Sequence, residues 1–271
     1  MIKKIIHIAD VHIRTYRMHD EYKEVFEQFI KEIKDYTKDF DYDEVRIVIV
    51  GDLVHQKITI SNELLLLGTW FLKQLLEVSP VILVAGNHDL LENNKDRLDS
   101  LSPMVELIGD SNLKYYKESA CYLDDNIIWC NYSIFEDNSR PDIEGARFDN
   151  EDMDLTYIGL YHAPLVGAST DIGYEFTEGT TLEHFNGCDM VLLGDIHKRQ
   201  AFDYKGIPIV YPSSLIQQNF GESISKHGYL IWDVESRTYI EKDIETRYGF
   251  YQFKIKSIDD VDNNKEQLTN G

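Results

Sequence analysis

The chain has 271 residues, 43% hydrophobic and 28% charged, enough to bury one large core or two small ones. Its 27 basic against 48 acidic residues leave a net charge of −21, which argues against a generic nucleic-acid coat because phosphate binding ordinarily needs a basic face. It does not exclude an enzyme that meets phosphate through bound cations, since those become the largest local charges. In chain order, Lys4 to Ala9 reads as a buried strand ending in Asp10-Val11-His12. Asp20 to Lys38 follows, with Val25, Phe26, Phe29, Ile30, Ile33 and Tyr36 on one stripe of an amphipathic helix. Val45 to Val50 is a second strand, closed by Gly51-Asp52-Leu53-Val54-His55. Ser61 is a fitting N-cap for a helix running to about Val78. A third strand, Pro80 to Ala85, runs into Gly86-Asn87-His88-Asp89. This β-α-β-α-β order predicts parallel strands with right-handed crossovers.

The texture then changes. Leu98 to Ile108 reads as a short helix, and Leu113–Lys117, Cys121–Leu123 and Ile127–Asn131 as short strands. Phe135 to Asp154 concentrates Glu136, Asp137, Asp142, Glu144, Asp149, Glu151, Asp152 and Asp154 against Arg140 and Arg147, and is expected to be a solvated loop. Leu155 to Tyr161 is a strand that runs into His162. Thr181 to Phe185 is a short helix, and Met190 to Leu193 a strand ending in Gly194-Asp195-Ile196-His197. Ala201–Tyr204, Ile207–Tyr211, Gly228–Val234 and Tyr239–Ile244 alternate with turns, a mostly antiparallel arrangement; Ser257 to Gly271 is polar with no closing structure.

Three further expectations come from what the chain lacks. No apolar run approaches the length of a membrane span, and the N-terminus reaches His7 and Asp10 too soon for a secretory leader, so a cytoplasmic location is expected. Cys121, Cys130 and Cys188 have no CxxC spacing and are read as small buried apolar residues. His7, His19, His184 and His227 belong to no motif and are read as structural or surface residues, and Tyr115-Tyr116 as sheet packing.

The chemistry lies at five strand ends: Asp10/His12, Asp52/His55, Asn87/His88, His162 and Asp195/His197. The set holds carboxylates, imidazoles and an amide oxygen, with no thiolate. Mixed N/O ligation suits Mn²⁺, Fe²⁺ or Zn²⁺ and disfavours a structural zinc site built on cysteine. There are donors enough for two ions, with Asp52 the candidate bridge. Two ions about 3.5–4 Å apart clamp the attacking and leaving oxygens of in-line phosphoryl transfer.

The ordered set Asp-x-His, Gly-Asp-x-x-His, Gly-Asn-His-Asp, a later His and Gly-x-x-His resembles the calcineurin-like metallophosphoesterases. Within them it is similar to the SbcD-type nucleases of DNA repair, recombination and replication, phage types included. Three details favour that branch. Gly51 to His55 carries His where Ser/Thr phosphatases show Asp-Arg-Gly, and Gly86 to Asp89 ends in Asp rather than Glu. Tyr211-Pro212-Ser213-Ser214, Asn219-Phe220-Gly221-Glu222 and Gly228-Tyr229-Leu230 match the branch's Tyr-Pro-Gly-Ser, Phe-Gly-Glu and Gly-Tyr-Leu segment, with Ser213 in place of Gly.

The resemblance covers about Ile5 to Glu245. It implies an α/β fold of two central mixed sheets packed as a sandwich and flanked by helices, a catalytic domain over 1–245, and a C-terminal extension, 246–271, where a truncated capping domain would begin. It implies that Asp10, His12, Asp52 and His197 hold one divalent ion and Asp52, Asn87, His162 and Asp195 the other. Mn²⁺ is preferred, with Fe²⁺, Zn²⁺ or Mg²⁺ as alternatives. His88 would protonate the leaving 3′-oxygen and His55 would position the phosphate backbone. The branch usually has Gly-His-x-His last; here Asp195 replaces the first His, and either ligates directly or stands behind the ligands. The implied activity is Mn²⁺-dependent 3′→5′ duplex exonuclease and single-strand endonuclease. The implied partners are DNA, an SbcC-type coiled-coil ATPase and a second copy of the chain, in a host cytoplasm if the gene is a phage's. Two other readings compete: a small-molecule or phosphoprotein phosphoesterase, which the −21 charge favours, and a metal-binding scaffold without catalysis.

Overall fold

A computed structural model of the chain describes residues 1–136, 140–251, 255–258 and 260. The first half is built as the β-α-β pattern requires. Strands β1 (Lys4–Ile8), β2 (Val45–Val50) and β3 (Val81–Val84) pair in parallel, and β4 (Leu113–Tyr116) extends them. Helices α1 (His19–Thr37) and α2 (Asn62–Leu76) form the first two crossovers. Ser61 caps α2, its hydroxyl accepting from the Leu64 N–H at 3.2 Å.

These strands are apolar throughout because both of their faces are covered. Ile6, Ile8, Ile47 and Ile49 pack toward the helices, where Phe26 of α1 stacks on Phe71 of α2 with ring centroids 3.9 Å apart. Their neighbours Ile5, Ala9, Val48 and Val50 face the other way, onto Trp129, Ile158, Leu160 and Leu192 of a second sheet. That sheet contains β5 (Ala120–Asp124), β6 (Ile127–Tyr132), β7 (Thr156–His162), β8 (Met190–Gly194), β9 (Gln200–Tyr204) and β10 (Ile207–Tyr211), in the order β5-β6-β7-β8-β10-β9. The chain then returns to the first sheet through β11 (Gly228–Asp233) and β12 (Thr238–Asp243), giving the order β12-β11-β1-β2-β3-β4. Both sheets are mixed, and a third apolar cluster around Tyr132, Phe185 and Tyr211 covers the far face of the second. The result is the layered α/β sandwich.

Three local expectations need correction. The acidic stretch after Phe135 is not all loop: Ile143–Asp149 forms a short helix, α4 in chain order. Asp142 caps it, accepting from the Gly145 N–H at 2.9 Å, and Ile143 plugs it into the third core cluster. Asp137, expected in that loop, lies outside the described residues. The helix expected from Leu98 is only Ser102–Ile108, α3, because the Asp99 carboxylate takes the Leu101 and Ser102 N–H groups and starts it late. The stretch around Thr181 to Phe185 is a single 3₁₀ turn, Leu182–Phe185. The C-terminal strands are mostly antiparallel, as expected: β9 with β10, β11 with β12 and β11 with β1, while β10 pairs in parallel with β8.

Residues 246–251 run back along the molecule, with the Tyr248 hydroxyl donating to Glu24 and the Phe250 N–H to Gln217. Most of the polar tail from Ser257 lies outside the described residues. Among the described residues no helix is long and apolar enough to cross a membrane.

Candidate metal centre

Parallel strands that share a direction deliver their C-terminal ends to one edge, where open α/β sheets place ligands. Here β1, β2 and β3 of one sheet and β7 and β8 of the other do so, and the polar residues that follow them converge. Turning the chain so sharply at a strand end requires unusual backbone. Asp10 and His12 have φ of 53°, Asp52 54° and Asp195 96°, all in the left-handed region that costs a non-glycine residue about 1–2 kcal/mol. Gly51, with φ of 79°, completes the second turn, and any Cβ there would land on the His162 ring. Gly86 is equally constrained by space: a Cβ would strike the Asp52 carboxylate and His162 Nε2.

Three overlapping groups bring donor atoms within 4.8 Å of one another: Asp10, His12 and His197; Asp10, Asp52 and His162; and His12, His55 and His88. The His162 ring shows best what the site wants. Its Nδ1–H donates to the Val50 carbonyl at 2.8 Å, which leaves Nε2 as an acceptor. That nitrogen faces three more acceptors, Asn87 Oδ1 at 3.2 Å, Asp52 Oδ2 at 3.4 Å and Asp195 Oδ1 at 3.8 Å. In the neutral ring four lone-pair atoms would confront each other in a buried place, and either a proton on Nε2 or a bound cation relieves them. Burial opposes a charge on His162, yet the Asp52, Asp10 and Asp195 carboxylates outweigh it and lift the ring well above its ordinary pKa.

His197 repeats the pattern. Its Nδ1 bonds Glu222 Oε1 at 2.7 Å, while Nε2 faces His12 Nε2 at 3.0 Å and Asp10 Oδ1 at 3.8 Å. Despite burial, the Glu222 hydrogen bond and Asp10 raise it to about 9. An imidazole that gives one nitrogen to a carbonyl or carboxylate and aims the other at a cluster of acceptors is the arrangement of a metal-ligating histidine. The donor set therefore fits divalent cations.

The carboxylates differ among themselves. Burial pushes Asp10 up to about 7 and also raises Asp195. Asp52 goes the other way: burial opposes it, but His162, His12 and His88 hold its carboxyl below the usual range. Asp52 is also the most shared, with Oδ2 3.4 Å from both His12 Nε2 and His162 Nε2, and Oδ1 accepting the His88 N–H at 2.7 Å. Asp195 joins through its backbone as well, its N–H donating to Asp10 at 3.0 Å.

His88 and His55 sit at the rim. His88 Nδ1–H donates to the His55 carbonyl at 2.6 Å, which turns Nε2 toward the cleft. The two rings stack with centroids 5.2 Å apart, and His55 Nδ1 lies 3.3 Å from His12 Nδ1. Burial, reinforced by Arg14 and His88, lowers His55 to about 4. Beside the cluster opens a cleft of about 880 Å³, reached by Asn87, His162, Asp195 and His197 and walled by Ile172 and Phe176.

All nine residues expected from the sequence are brought together. Three others at the site escaped that reading. Asp89 is buried and accepts the Gly86 N–H at 2.8 Å and the Val54 N–H at 3.0 Å, tying the second and third strand-end turns together; burial, with Asp52 nearby, raises it to about 8. Glu222 orients His197 and also takes the Gln218 N–H at 2.8 Å. Both belong to stretches whose resemblance was noted, but their roles depend on distant partners. Arg14 is the third, and the sequence carries no signal for it. By contrast, among the described residues, His7, His19 and His227 bond backbone carbonyls, those of Leu193, Arg14 and Ser223, and His184 packs on Tyr132.

Residues 3–199 match the family described as calcineurin-like phosphoesterase. The chain belongs to that family. Over 259 residues it is 38% identical to the uncharacterized protein R555 of Acanthamoeba polyphaga mimivirus, covering 94% of this chain but 19% of that protein, so it spans about a fifth of that relative's length. It is 27% identical over 266 residues to protein 244L of Invertebrate iridescent virus 6, named as a candidate phosphoesterase, with 95% of this chain and 82% of that protein covered. Among solved structures, phosphopantetheinyl hydrolase from Mycobacterium tuberculosis superposes with a TM-score of 0.44 at 14% identity, over 78% of this chain and 88% of that one. The phosphoesterase family uses divalent metals, and the clustered His and Asp side chains here can take them.

Proposed function

We propose that this phosphoesterase is a two-metal phosphodiesterase of the SbcD type, hydrolysing DNA with 3′→5′ polarity on duplex ends and endonucleolytically on single strands. Asp10, His12, Asp52 and His197 would hold one ion and Asp52, Asn87, His162 and Asp195 the other, with Mn²⁺ the expected metal. Bound there, the ions supply an activated water and neutralise charge on the phosphate. The chain's own residues do the rest. Asp52 ties the two halves of the site, and the Val50 carbonyl and Glu222 fix the tautomers of His162 and His197.

The observation that carries the reading is the placement of His88. With Nδ1–H given to the His55 carbonyl and its backbone N–H on Asp52, the ring can present only Nε2 to the cleft. As an imidazolium it delivers that proton to the departing 3′-oxygen, a contribution of about 10²–10⁴-fold. His88→Ala is therefore expected to lower kcat on end-labelled duplex DNA by that factor while Mn²⁺ stoichiometry stays at two by calorimetry. Near-normal Mn²⁺-dependent cleavage by this variant would remove His88 from the mechanism.

An SbcC-type ATPase, a second copy of the chain and a host-cytoplasmic setting belong to the same proposal. A second reading, a small-molecule or phosphoprotein phosphoesterase, is favoured by the net charge of −21. Rates on duplex DNA, a cyclic nucleotide and p-nitrophenyl phosphate with Mn²⁺ separate the two: preference for either small ester over DNA selects the second.

A further inference from the structure

Arg14 follows the Asp10-Val11-His12 turn at the mouth of the site. One terminal nitrogen of its guanidinium donates to the Gln218 carbonyl at 2.8 Å, and the other faces His55 Nε2 at 3.3 Å. Its Nε is buried and has no hydrogen-bond partner among the described residues. Among the described residues it has no carboxylate within ion-pair distance, although acidic residues outnumber basic ones 48 to 27. Arg46, Arg147, Arg199, Arg237 and Arg247 have one, and the others that lack one among the described residues, Arg17, Arg97 and Arg140, are exposed where Arg14 is partly buried. A partly buried guanidinium with an unsatisfied N–H and no counter-charge costs stability unless something else supplies the anion.

Its location says which anion. Arg14 lines a recess of about 410 Å³ together with His12, Asp52, His55, His88 and His197. Within it, His55 separates the guanidinium from the metal cluster: Nδ1 of that ring lies against His12 and Nε2 against Arg14. A phosphate placed at the cluster is thus one imidazole away from the guanidinium. A strand bound at the cluster carries a neighbouring phosphate that can extend past that ring to Arg14. The fork of a guanidinium matches two phosphate oxygens, and the tether to Gln218 holds its plane in place.

We propose that Arg14 binds the phosphate next to the scissile one, so that the site selects polynucleotide strands over isolated phosphate esters. This rests on reading the chain as a nuclease. An isolated ester gains nothing from Arg14; a strand gains a charge-assisted contact that also raises the salt dependence of binding.

The test compares wild type, Arg14→Gln and Arg14→Lys, all Mn²⁺-loaded, on a single-stranded oligodeoxynucleotide and on bis-p-nitrophenyl phosphate, a diester with one phosphate. For Arg14→Gln, kcat/KM on the oligonucleotide should fall about 10- to 100-fold, mostly through KM. The fall on bis-p-nitrophenyl phosphate should be at least about tenfold smaller. The slope of log KM against log salt should drop by about 0.7, the value of one phosphate contact on a single strand. Arg14→Lys keeps the charge and should keep the slope while losing part of the affinity, which serves the test even if the glutamine variant folds poorly. Equal losses on both substrates, no loss on the oligonucleotide, or a slope flattened by lysine would overturn the assignment and leave the nuclease reading standing. Wild type that hydrolyses bis-p-nitrophenyl phosphate but no polynucleotide would overturn both.

Discussion

His7 and His162 lie on facing sheets of the same sandwich, one in the middle of β1 and the other at the end of β7, and both are buried. Their environments drive them in opposite directions. His7 donates from Nε2 to the Leu193 carbonyl at 3.0 Å and accepts from the Trp232 indole N–H at 3.5 Å, so the neutral ring is fully used and burial lowers it to about 3. His162 also gives one nitrogen to a carbonyl, but its other nitrogen meets Asp52, Asn87 and Asp195 oxygens, and the ring is raised. A buried histidine is structural where both nitrogens find ordinary partners, and a ligand candidate where one of them faces only acceptors. In this molecule the interior of the sandwich makes the first kind and its strand-end rim the second.

The largest effect should come from removing what makes the rim different. Asp52→Asn takes away the carboxylate shared by both halves of the centre, and charge stabilisation worth several kcal/mol goes with it, so Mn²⁺-dependent hydrolysis should fall about 10³-fold or more. In the metal-free variant an NMR titration should show His162 moving down toward the behaviour of His7. Wild-type rates in Asp52→Asn would end the comparison.

A smaller effect is expected one step further out. Glu222→Gln keeps the size of the side chain that orients His197 but loses its charge. Mn²⁺ affinity measured by calorimetry should weaken about 10- to 100-fold. Unchanged affinity would mean that His197 does not depend on Glu222 for its ligand role.

The mildest test concerns His7. Its folded pKa is depressed to about 3, so between there and the ordinary value of 6.5 the unfolded chain binds the proton and the folded chain does not. Its contribution is fully present above about pH 6.5 and is lost as pH falls toward 3, amounting to about 2 kcal/mol by pH 5. Urea unfolding at pH 7 and pH 5 should show His7→Gln losing about that much less than wild type on acidification. An equal loss in both proteins would show that His7 is not the titrating group.

Much of this was legible in the chain. Apolar runs closing on Asp-Val-His, Gly-Asp-Leu-Val-His, Gly-Asn-His-Asp and Gly-Asp-Ile-His announce parallel strands whose ends carry donors, because covered strands must be apolar and strand ends are where backbone and polar groups come free. The acidic stretch misled for a local reason: one buried residue, Ile143, and one cap, Asp142, suffice to set a short helix within a run of charge. Glu222 and Asp89 were hidden for a non-local one, since a carboxylate's role depends on what it accepts from, and Glu222 meets His197 from 25 residues away.

By itself the sequence determined the parallel α/β order and the family and pointed to the candidate donors, since each of these is written in local pattern and spacing. Only the tertiary structure decided which histidine nitrogen is spent and which is free, which carboxylate is shared, and that Arg14 has no counter-charge among the described residues. Those properties are relations between strand ends that lie far apart in the chain and meet only once the two sheets have packed face to face.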